Sequence, residues 1–364
     1  MLAILIGTRP EAIKLRSIVH GLSQRNAEFR VIYTGQQLQL EQEFFHNLSI
    51  PIHITLNTRE RFDSISEELS RLLTELNTVL MNLDFRGVIV QGDTTTALAG
   101  ALAAAMLKIP VHHIEAGLRT HNRSAPFPEE INRRIISVLA NENFAPTDVS
   151  KGNLLKDGVG AETIHVVGNT VVDSLKMSLP FVEFQNQESN EYTKQIQIFV
   201  SCHRRELTDP QRDALAKTVL NLGKLNSNIN INFTLHSNPL FSILFRSQLE
   251  NQRNIKLYEG LSYLETLRLV SHSDLVITDS GGLQEECVTL GTPLLVYRSV
   301  TERPECLTAK YTKLLSPQDK EFSEEILAFL EQIRPFKRVR ELQNVVGDGN
   351  SASKIIDVIL DLHP

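Results

Sequence analysis

Two α/β domains built on parallel sheets are predicted by three features of the sequence. Short, apolar, β-branched segments alternate with longer segments of helical period along the whole chain. Its 364 residues exceed what one ordinary hydrophobic core organises. Between Pro180 and Gln195 the composition breaks: Phe181 to Asn190 is polar and weakly periodic, which reads as a linker. The predicted domains are residues 1–179 and 180–349. Pattern alone assigns the last helical segment, 350–364, to neither.

The chain opens on Leu2–Ile6, a buried strand. Met1–Ile6 lacks a basic leader and runs straight into Gly7-Thr8-Arg9-Pro10, so it does not read as a signal peptide. Pro10 suits the first position of a helix that continues to about Leu22. Strands follow at Arg30–Thr34, Gly87–Gln91, Val111–Ile114, Glu142–Ala145 and Ile164–Val167. Helices are expected near Glu41–Leu48, Phe62–Leu83, from Thr94 to Leu107 in an Ala-rich run, at Asn132–Leu139 and at Val149–Leu155. Past the linker, strands are expected at Ile196–Ser201, Ile229–Leu235, Ile255–Tyr258, Leu275–Thr278 and Leu294–Tyr297. Helices are expected at Pro210–Leu222, Tyr263–Val270, Leu283–Leu290, Ser323–Gln332 and Ala352–Leu362. Strands alternating with helices at this density imply parallel sheets covered on both faces.

Composition narrows the function. With 41% apolar residues, 22% charged residues and a net charge of −6, nothing points to nucleic acid or an anionic membrane as partner. No apolar run approaches the roughly 18 residues of a membrane span. The three cysteines are odd in number, widely spaced and without a metal pattern, which fits a reducing cytoplasm. Gly-x-Gly-x-x-Gly, Gly-Lys-Ser/Thr and Gly-x-Ser-x-Gly are all missing, so a nicotinamide cofactor is not signalled.

Ligands of open parallel sheets bind beyond the carboxyl ends of the strands. Polar clusters stand at such ends: Thr8-Arg9-Pro10-Glu11, Gly92-Asp93, Glu115 to Arg119, His203-Arg204-Arg205-Glu206, His236 and Ser280-Gly281-Gly282. Two domains facing across a cleft would bring them together. The turn at Asp279 to Glu286 has the form of an anion site. Two glycines let backbone approach a phosphate, the first helical N–H groups are unpaired, and Ser280 is an N-cap with a hydroxyl to spare. Glu286, one turn on, is placed to hold ribose hydroxyls; the alternative is a strand–helix turn with no ligand.

The other clusters also read two ways. Arg9 and Lys14 hold a phosphate or begin a solvated helix. Asp93 is a site acid or an N-cap. Glu115 is a site acid or half of an ion pair with a nearby arginine. Glu129 and Glu130 follow Pro126-Phe127-Pro128 into a first helical turn, where acids are favoured in any case. His236 precedes a Pro turn, and Arg303 reaches a diphosphate or pairs with Glu302 or Glu305. Carboxylates, a histidine and cationic diphosphate holders suit proton removal from carbon coupled to departure of a phosphate.

Seven ordered stretches carry a resemblance. They are Gly7 to Lys14 (GTRPEAIK), Gly92 to Thr96 (GDTTT), His113 to Thr120 (HIEAGLRT), Pro126 to Glu130 (PFPEE), His203 to Glu206 (HRRE), Asp279 to Glu286 (DSGGLQEE) and Thr301 to Glu305 (TERPE). Together they closely resemble the bacterial non-hydrolysing UDP-N-acetylglucosamine 2-epimerases, from the first strand to Gly347-Asp348-Gly349. The resemblance implies the glycosyltransferase-B architecture: two Rossmann-like domains facing a cleft, a C-terminal helix returning to the first domain, and a homodimer. The implied reaction removes the C2 proton and UDP from UDP-N-acetylglucosamine and re-adds them through 2-acetamidoglucal to give UDP-N-acetylmannosamine. It needs neither NAD nor metal and feeds surface polysaccharide synthesis.

Carried over by motif, Asp93, Glu115, Glu129 and His203 match catalytic residues. Arg9, Lys14, Ser280, Gly281, Gly282, Glu286 and Arg303 match substrate and UDP contacts. Gln36, Gln39, Arg204 and His236 match a second site at which UDP-N-acetylglucosamine activates many bacterial members. Around that second site the sequence departs from the family, with Gln37-Leu38 in place of the usual His-Arg.

Overall fold

The structure is a computed structural model that describes residues 1–37, 42–56, 64–182, 195–202, 207–236, 239–333 and 343–363. The chain forms two compact units, Met1–Met177 with Val346–Pro364, and Ser178–Val345. Most of the expected linker lies outside the described residues, as do the expected site residues Gln39, His203 and Arg204.

In the first unit the elements run β1 (Leu2–Ile6), α1 (Arg9–Gln24), β2 (Phe29–Tyr33), α2 (Gln42–Asn47), β3 (Ile54–Thr55), α3 (Ile65–Asn82), β4 (Gly87–Gln91) and α4 (Thr95–Met106). They continue with β5 (Val111–Ile114), α5 (Glu129–Leu139), β6 (Glu142–Ala145), α6 (Asp148–Lys156), β7 (Ile164–Val166) and α7 (Thr170–Ser178). The seven strands are all parallel, in the order β3-β2-β1-β4-β5-β6-β7. A sheet covered on both faces needs strands that are apolar throughout, and every residue of β1 and β4 is buried. α3 presents Leu72, Leu76 and Leu80, four residues apart, as its buried stripe. α4 is buried along most of its length, which its alanines and Gly100 permit.

The second unit runs β8 (Ile196–Ser201), α8 (Asp209–Leu225), β9 (Ile229–Thr234), α9 (Pro239–Leu249), β10 (Ile255–Tyr258), α10 (Tyr263–His272), β11 (Leu275–Thr278), α11 (Gly281–Leu290), β12 (Leu294–Tyr297), β13 (Thr312–Leu315) and α12 (Ser323–Ile333). Its sheet is also all parallel, ordered β10-β9-β8-β11-β12-β13. Each sheet therefore reverses strand order once, between β1 and β4 and between β8 and β11. At such a reversal the turns after the two strands diverge to opposite faces and leave room for a ligand.

Four elements went unread in the sequence. β3 and β13 are edge strands, two and four residues long, with no fully apolar run. α7 begins on the β-branched Thr170-Val171-Val172. α9 carries Ile243 on its exposed side, which blurs its period. α5 starts at Glu129, three residues before the expected Asn132. Arg9 takes the first helical position of α1, so Pro10 is second. Among the described residues no helix is long and apolar enough to cross a membrane.

The last helix, α13 (Ser351–Leu362), packs against α1 in the first unit. It buries Ile355, Ile356 and Ile359, and Gly21 of α1 leaves space for it: a Cβ there would stand 2.5 Å from Ile356 Cδ1. Arg25, at the C-cap of α1, pairs with Asp357 at 2.8 Å and donates to Ser353 Oγ at 2.9 Å. Asp173 of α7 accepts the Ala352 N–H at 2.9 Å, in the first turn of α13. Ile356 is fully buried, so Ile356→Ala is expected to destabilise the unit that holds it by about 2–5 kcal/mol. Urea unfolding checks this; a midpoint equal to wild type would mean α13 does not pack there in solution.

Candidate active site

At the switch point of the first sheet, the turn after β1 meets the turn after β4. Glu11, in the first turn of α1, is fully buried and points its carboxylate back at the strand end. Its Oε2 accepts the Gly7 N–H at 3.0 Å, the Thr8 N–H at 2.7 Å and the Thr8 hydroxyl at 2.8 Å. Its Oε1 accepts the Thr94 hydroxyl from the other turn at 2.6 Å. Burial raises the Glu11 pKa to about 7, against the lowering effect of these four donors. Its contribution to stability is therefore full below the ordinary value of 4.5 and is lost as the pH rises through about 7. Thr94, not Asp93, is the N-cap of α4, accepting Ala97 N–H at 3.0 Å. That corrects the N-cap reading of Asp93.

Glu115 directly follows β5 in the left-handed backbone region, φ +64°. A non-glycine residue there is uncommon, and such strain collects at functional sites. Its carboxylate is buried and pairs with Lys14 Nζ of α1, which is itself buried. Gln91 Nε2, at the end of β4, donates to the same carboxylate, and Asn169 Nδ2, ahead of α7, donates at 2.8 Å. The partner cation is thus Lys14. The arginine nearby in sequence, Arg119, is bound instead to Asp157 at 2.8 Å.

Asp93 pairs with Arg133 of α5, and its carbonyl accepts Asn132 Nδ2 at 2.8 Å. Arg133 also lies 3.4 Å from Glu130, whose carboxylate accepts the Thr120 N–H at 3.0 Å and the His121 N–H at 3.1 Å. α5 therefore holds both Asp93 and the loop after β5. Under that turn, His113 donates to the Gly92 carbonyl at 2.8 Å; burial holds its pKa down at about 4, so the ring is neutral and its Nε2–H is the donor. Glu129 is partly exposed at the first position of α5.

Around the turn after β1, the Arg9 N–H donates to Gln37 Oε1 at 2.9 Å, and the Arg9 guanidinium lies 5.9 Å from the Phe44 ring centroid. Gln36, expected in a second nucleotide site, places Oε1 3.0 Å from the Thr96 N–H in the first turn of α4.

In the second unit, Ser280 caps α11 by accepting Leu283 N–H at 3.5 Å. The guanidinium of Arg303 lies across the start of that helix: a Cβ at Gly281 would fall 2.4 Å from its Nη1. Arg303 pairs with Glu285 at 2.9 Å and with Glu302. Glu302 is shared with Arg298 at 2.6 Å. Gln284 and Thr301 complete the frame: the Thr301 hydroxyl donates to Gln284 Oε1 at 2.8 Å and accepts the Arg303 N–H at 3.1 Å. A helix N-terminus and an arginine at one point form a place where an anion is favoured twice over. A Cβ at Gly282 meets nothing within 4 Å, so the approach to the helix end is open. Glu286 is buried one turn further along α11. His236 follows β9 and stands 5.3 Å from the Phe241 ring.

The structure brings Lys14, Asp93 and Glu115 to one switch point, and Ser280, Gly281, Gly282 and Arg303 to one helix end. Sequence reasoning missed Gln91, Asn169, Arg133 and Glu285 as parts of these sites, and it gave Glu11 no role of its own. Gln91 had a signal, a polar residue closing an otherwise apolar strand; Asn169 had none. Among the described residues no group of three or more His, Cys, Asp or Glu has the geometry to hold a metal.

Known proteins resemble this chain along nearly its whole length. A family profile for UDP-N-acetylglucosamine 2-epimerase matches residues 20–360. The UDP-N-acetylglucosamine 2-epimerase of Campylobacter jejuni is 36% identical over 370 residues, 98% of this chain and 96% of its own. The crystal structure of the Neisseria meningitidis UDP-GlcNAc 2-epimerase bound to UDP-GlcNAc is similar with a TM-score of 0.90 at 33% identity, over 99% of each chain. The Methanocaldococcus jannaschii UDP-GlcNAc 2-epimerase in complex with UDP-GlcNAc and UDP is similar with a TM-score of 0.86 at 32% identity, again over 99% of each. Two doubly wound domains of the glycosyltransferase-B class are common to all of them. Matches of this length and identity place the chain in the UDP-N-acetylglucosamine 2-epimerase family.

Proposed function

We propose that the protein interconverts UDP-N-acetylglucosamine and UDP-N-acetylmannosamine as a non-hydrolysing 2-epimerase, for surface polysaccharide synthesis, as a cytoplasmic homodimer. The observation that carries this reading is Glu115, a buried carboxylate in a strained backbone conformation, paired with Lys14 at the first unit's switch point. The relatives' substrate supplies a diphosphate for Arg303 and the start of α11, and a pyranose carbon for the acids.

The C2 hydrogen of the sugar is weakly acidic, so its loss has to be coupled to departure of the diphosphate. The C2–H electron pair becomes the C1=C2 bond of 2-acetamidoglucal. The C1–O pair leaves with UDP, and the proton passes to an enzyme group among Asp93, Glu115, Glu129 and His203. Arg303 and the N–H groups of Gly281 and Gly282 stabilise the leaving charge, and Arg9 and Lys14 add cations. Glu286 holds the ribose. Return of the proton to the opposite face and of UDP to C1 completes the epimerisation. Only a proton and a nucleotide move, so the chemistry calls for no hydride carrier and no metal. Gln36, Gln39, Arg204 and His236 are proposed as the seat of an activating second UDP-N-acetylglucosamine.

Incubation with UDP-N-acetylglucosamine in D2O without NAD is expected to give UDP-N-acetylmannosamine deuterated at C2. Substrate returned with hydrogen at C2 would sink the proposal; UDP with free N-acetylmannosamine as end products would mark a hydrolysing enzyme instead. At the nucleotide, Gly282→Ala is expected to leave stability intact, since the methyl group meets no protein atom and alanine is the better helix former. The Kd for UDP by isothermal titration should rise about tenfold or more as the methyl group blocks the phosphate approach. An unchanged Kd would remove this helix end from the site.

A further inference from the structure

We infer that Glu11, in its ionised form, is a positioning residue that holds the Asp93-Thr94 turn in the register the reaction needs, and that protonating it loosens that turn. This rests on the epimerase reading, which makes Asp93 part of the catalytic set.

Thr94 Oγ1 accepts the Ala97 N–H as the cap of α4, so its own hydrogen is directed at Glu11 Oε1, 2.6 Å away. That contact joins the Glu11 carboxylate to the turn after β4; the other three donors come from Gly7 and Thr8, in the turn after β1. An ionised carboxylate accepts only, and all four donors suit it. A proton arriving on Glu11 goes to Oε1, because two backbone N–H groups that cannot turn away crowd Oε2. Oε1 then donates to Thr94, the threonine hydrogen rotates off, and a charge-assisted bond between the turns becomes a neutral one. Asp93 precedes Thr94 directly, so it moves with this bond.

Charged groups on the surrounding elements include Arg9 and Lys14 on α1, Glu68 on α3, which accepts the Thr95 hydroxyl at 3.4 Å beside the turn, Asp93 on the facing turn, Glu115 after β5 and Arg133 on α5. Lys14 and Arg133 are each engaged by another carboxylate, Glu115 and Asp93. Glu11 is held by neutral donors, and burial brings its titration to about pH 7, inside the range where an enzyme works.

Glu11→Gln is the test, because its amide NH2 facing Thr94 donates as the protonated acid would. The rate of C2 deuterium incorporation and the KM for UDP-N-acetylglucosamine are measured across pH for wild type, Glu11→Gln, Thr94→Ala and Thr94→Ser. Above about pH 8, kcat of Glu11→Gln is expected to fall about tenfold with KM within about twofold; below about pH 6 its curve should meet that of wild type. Thr94→Ala, which spares the buried carboxylate, should show the same loss above that pH, and Thr94→Ser should keep the wild-type curve. Glu11→Gln tracking wild type at every pH, or reduced by one factor at every pH, would overturn the inference. Wild type that incorporates no deuterium at C2 would overturn the epimerase reading and this inference with it, which separates the two failures.

Discussion

A carboxylate buried at the end of a strand has to be compensated or protonated, and Glu115 is compensated from three directions. Lys14 arrives from α1, Gln91 from β4 and Asn169 from the turn before α7. Each of these belongs to a different strand–helix crossover, so the charge on Glu115 can be buried only when the sheet has assembled in the order β1-β4-β5. Asn169 extends the dependence further. Its N–H donates to the Val346 carbonyl at 2.8 Å, where the chain re-enters the first unit and leads into α13. One buried carboxylate thus ties the carboxyl edge of the sheet to the returning C-terminal segment.

The second unit solves the opposite problem. Arg303 lies against the positive end of α11, an arrangement that repels itself unless carboxylates or a bound anion offset it. Glu285 and Glu302 offset it in the protein, and Arg298 in turn shares Glu302. The guanidinium is therefore held in place before any ligand arrives. Such preorganisation means that little conformational freedom would be lost on binding an anion there. Gly281 is needed for this, since any side chain there would displace the arginine.

Glu11 and Glu115 are both buried acids in the first unit, and their partners set them apart. Glu115 has a cation beside it, which favours its charged form; Glu11 has dipoles alone, and desolvation moves it to near neutrality. The difference follows from which helical turn of α1 each meets. Glu11 sits in the first turn and sees the strand end and the Thr94 cap. Lys14 sits one turn later and reaches across to β5. Three residues of spacing on one helix thus serve two carboxylates of opposite character.

Much of this was legible in the sequence. The strands in the middle of each sheet announced themselves by uninterrupted apolar runs, and the glycine-rich turn before α11 by its composition. What escaped notice was local pattern too weak to register, as in the edge strands β3 and β13, and α9 with Ile243 on its outer side. The motifs also placed Asp93, Glu115, Ser280 and Gly281 at strand ends, because the ends of parallel strands face one edge whatever the sequence between them. The partners were another matter. Arg119 is four residues from Glu115 yet binds Asp157, while Lys14, 101 residues away, takes the pair. Sequence alone determined which residues stand at the ends of strands, since burial and period dictate where strands stop. Only tertiary structure decided which charge faces which, since ion pairing follows distance in the fold, and the order β3-β2-β1-β4-β5 sets those distances without regard to separation along the chain.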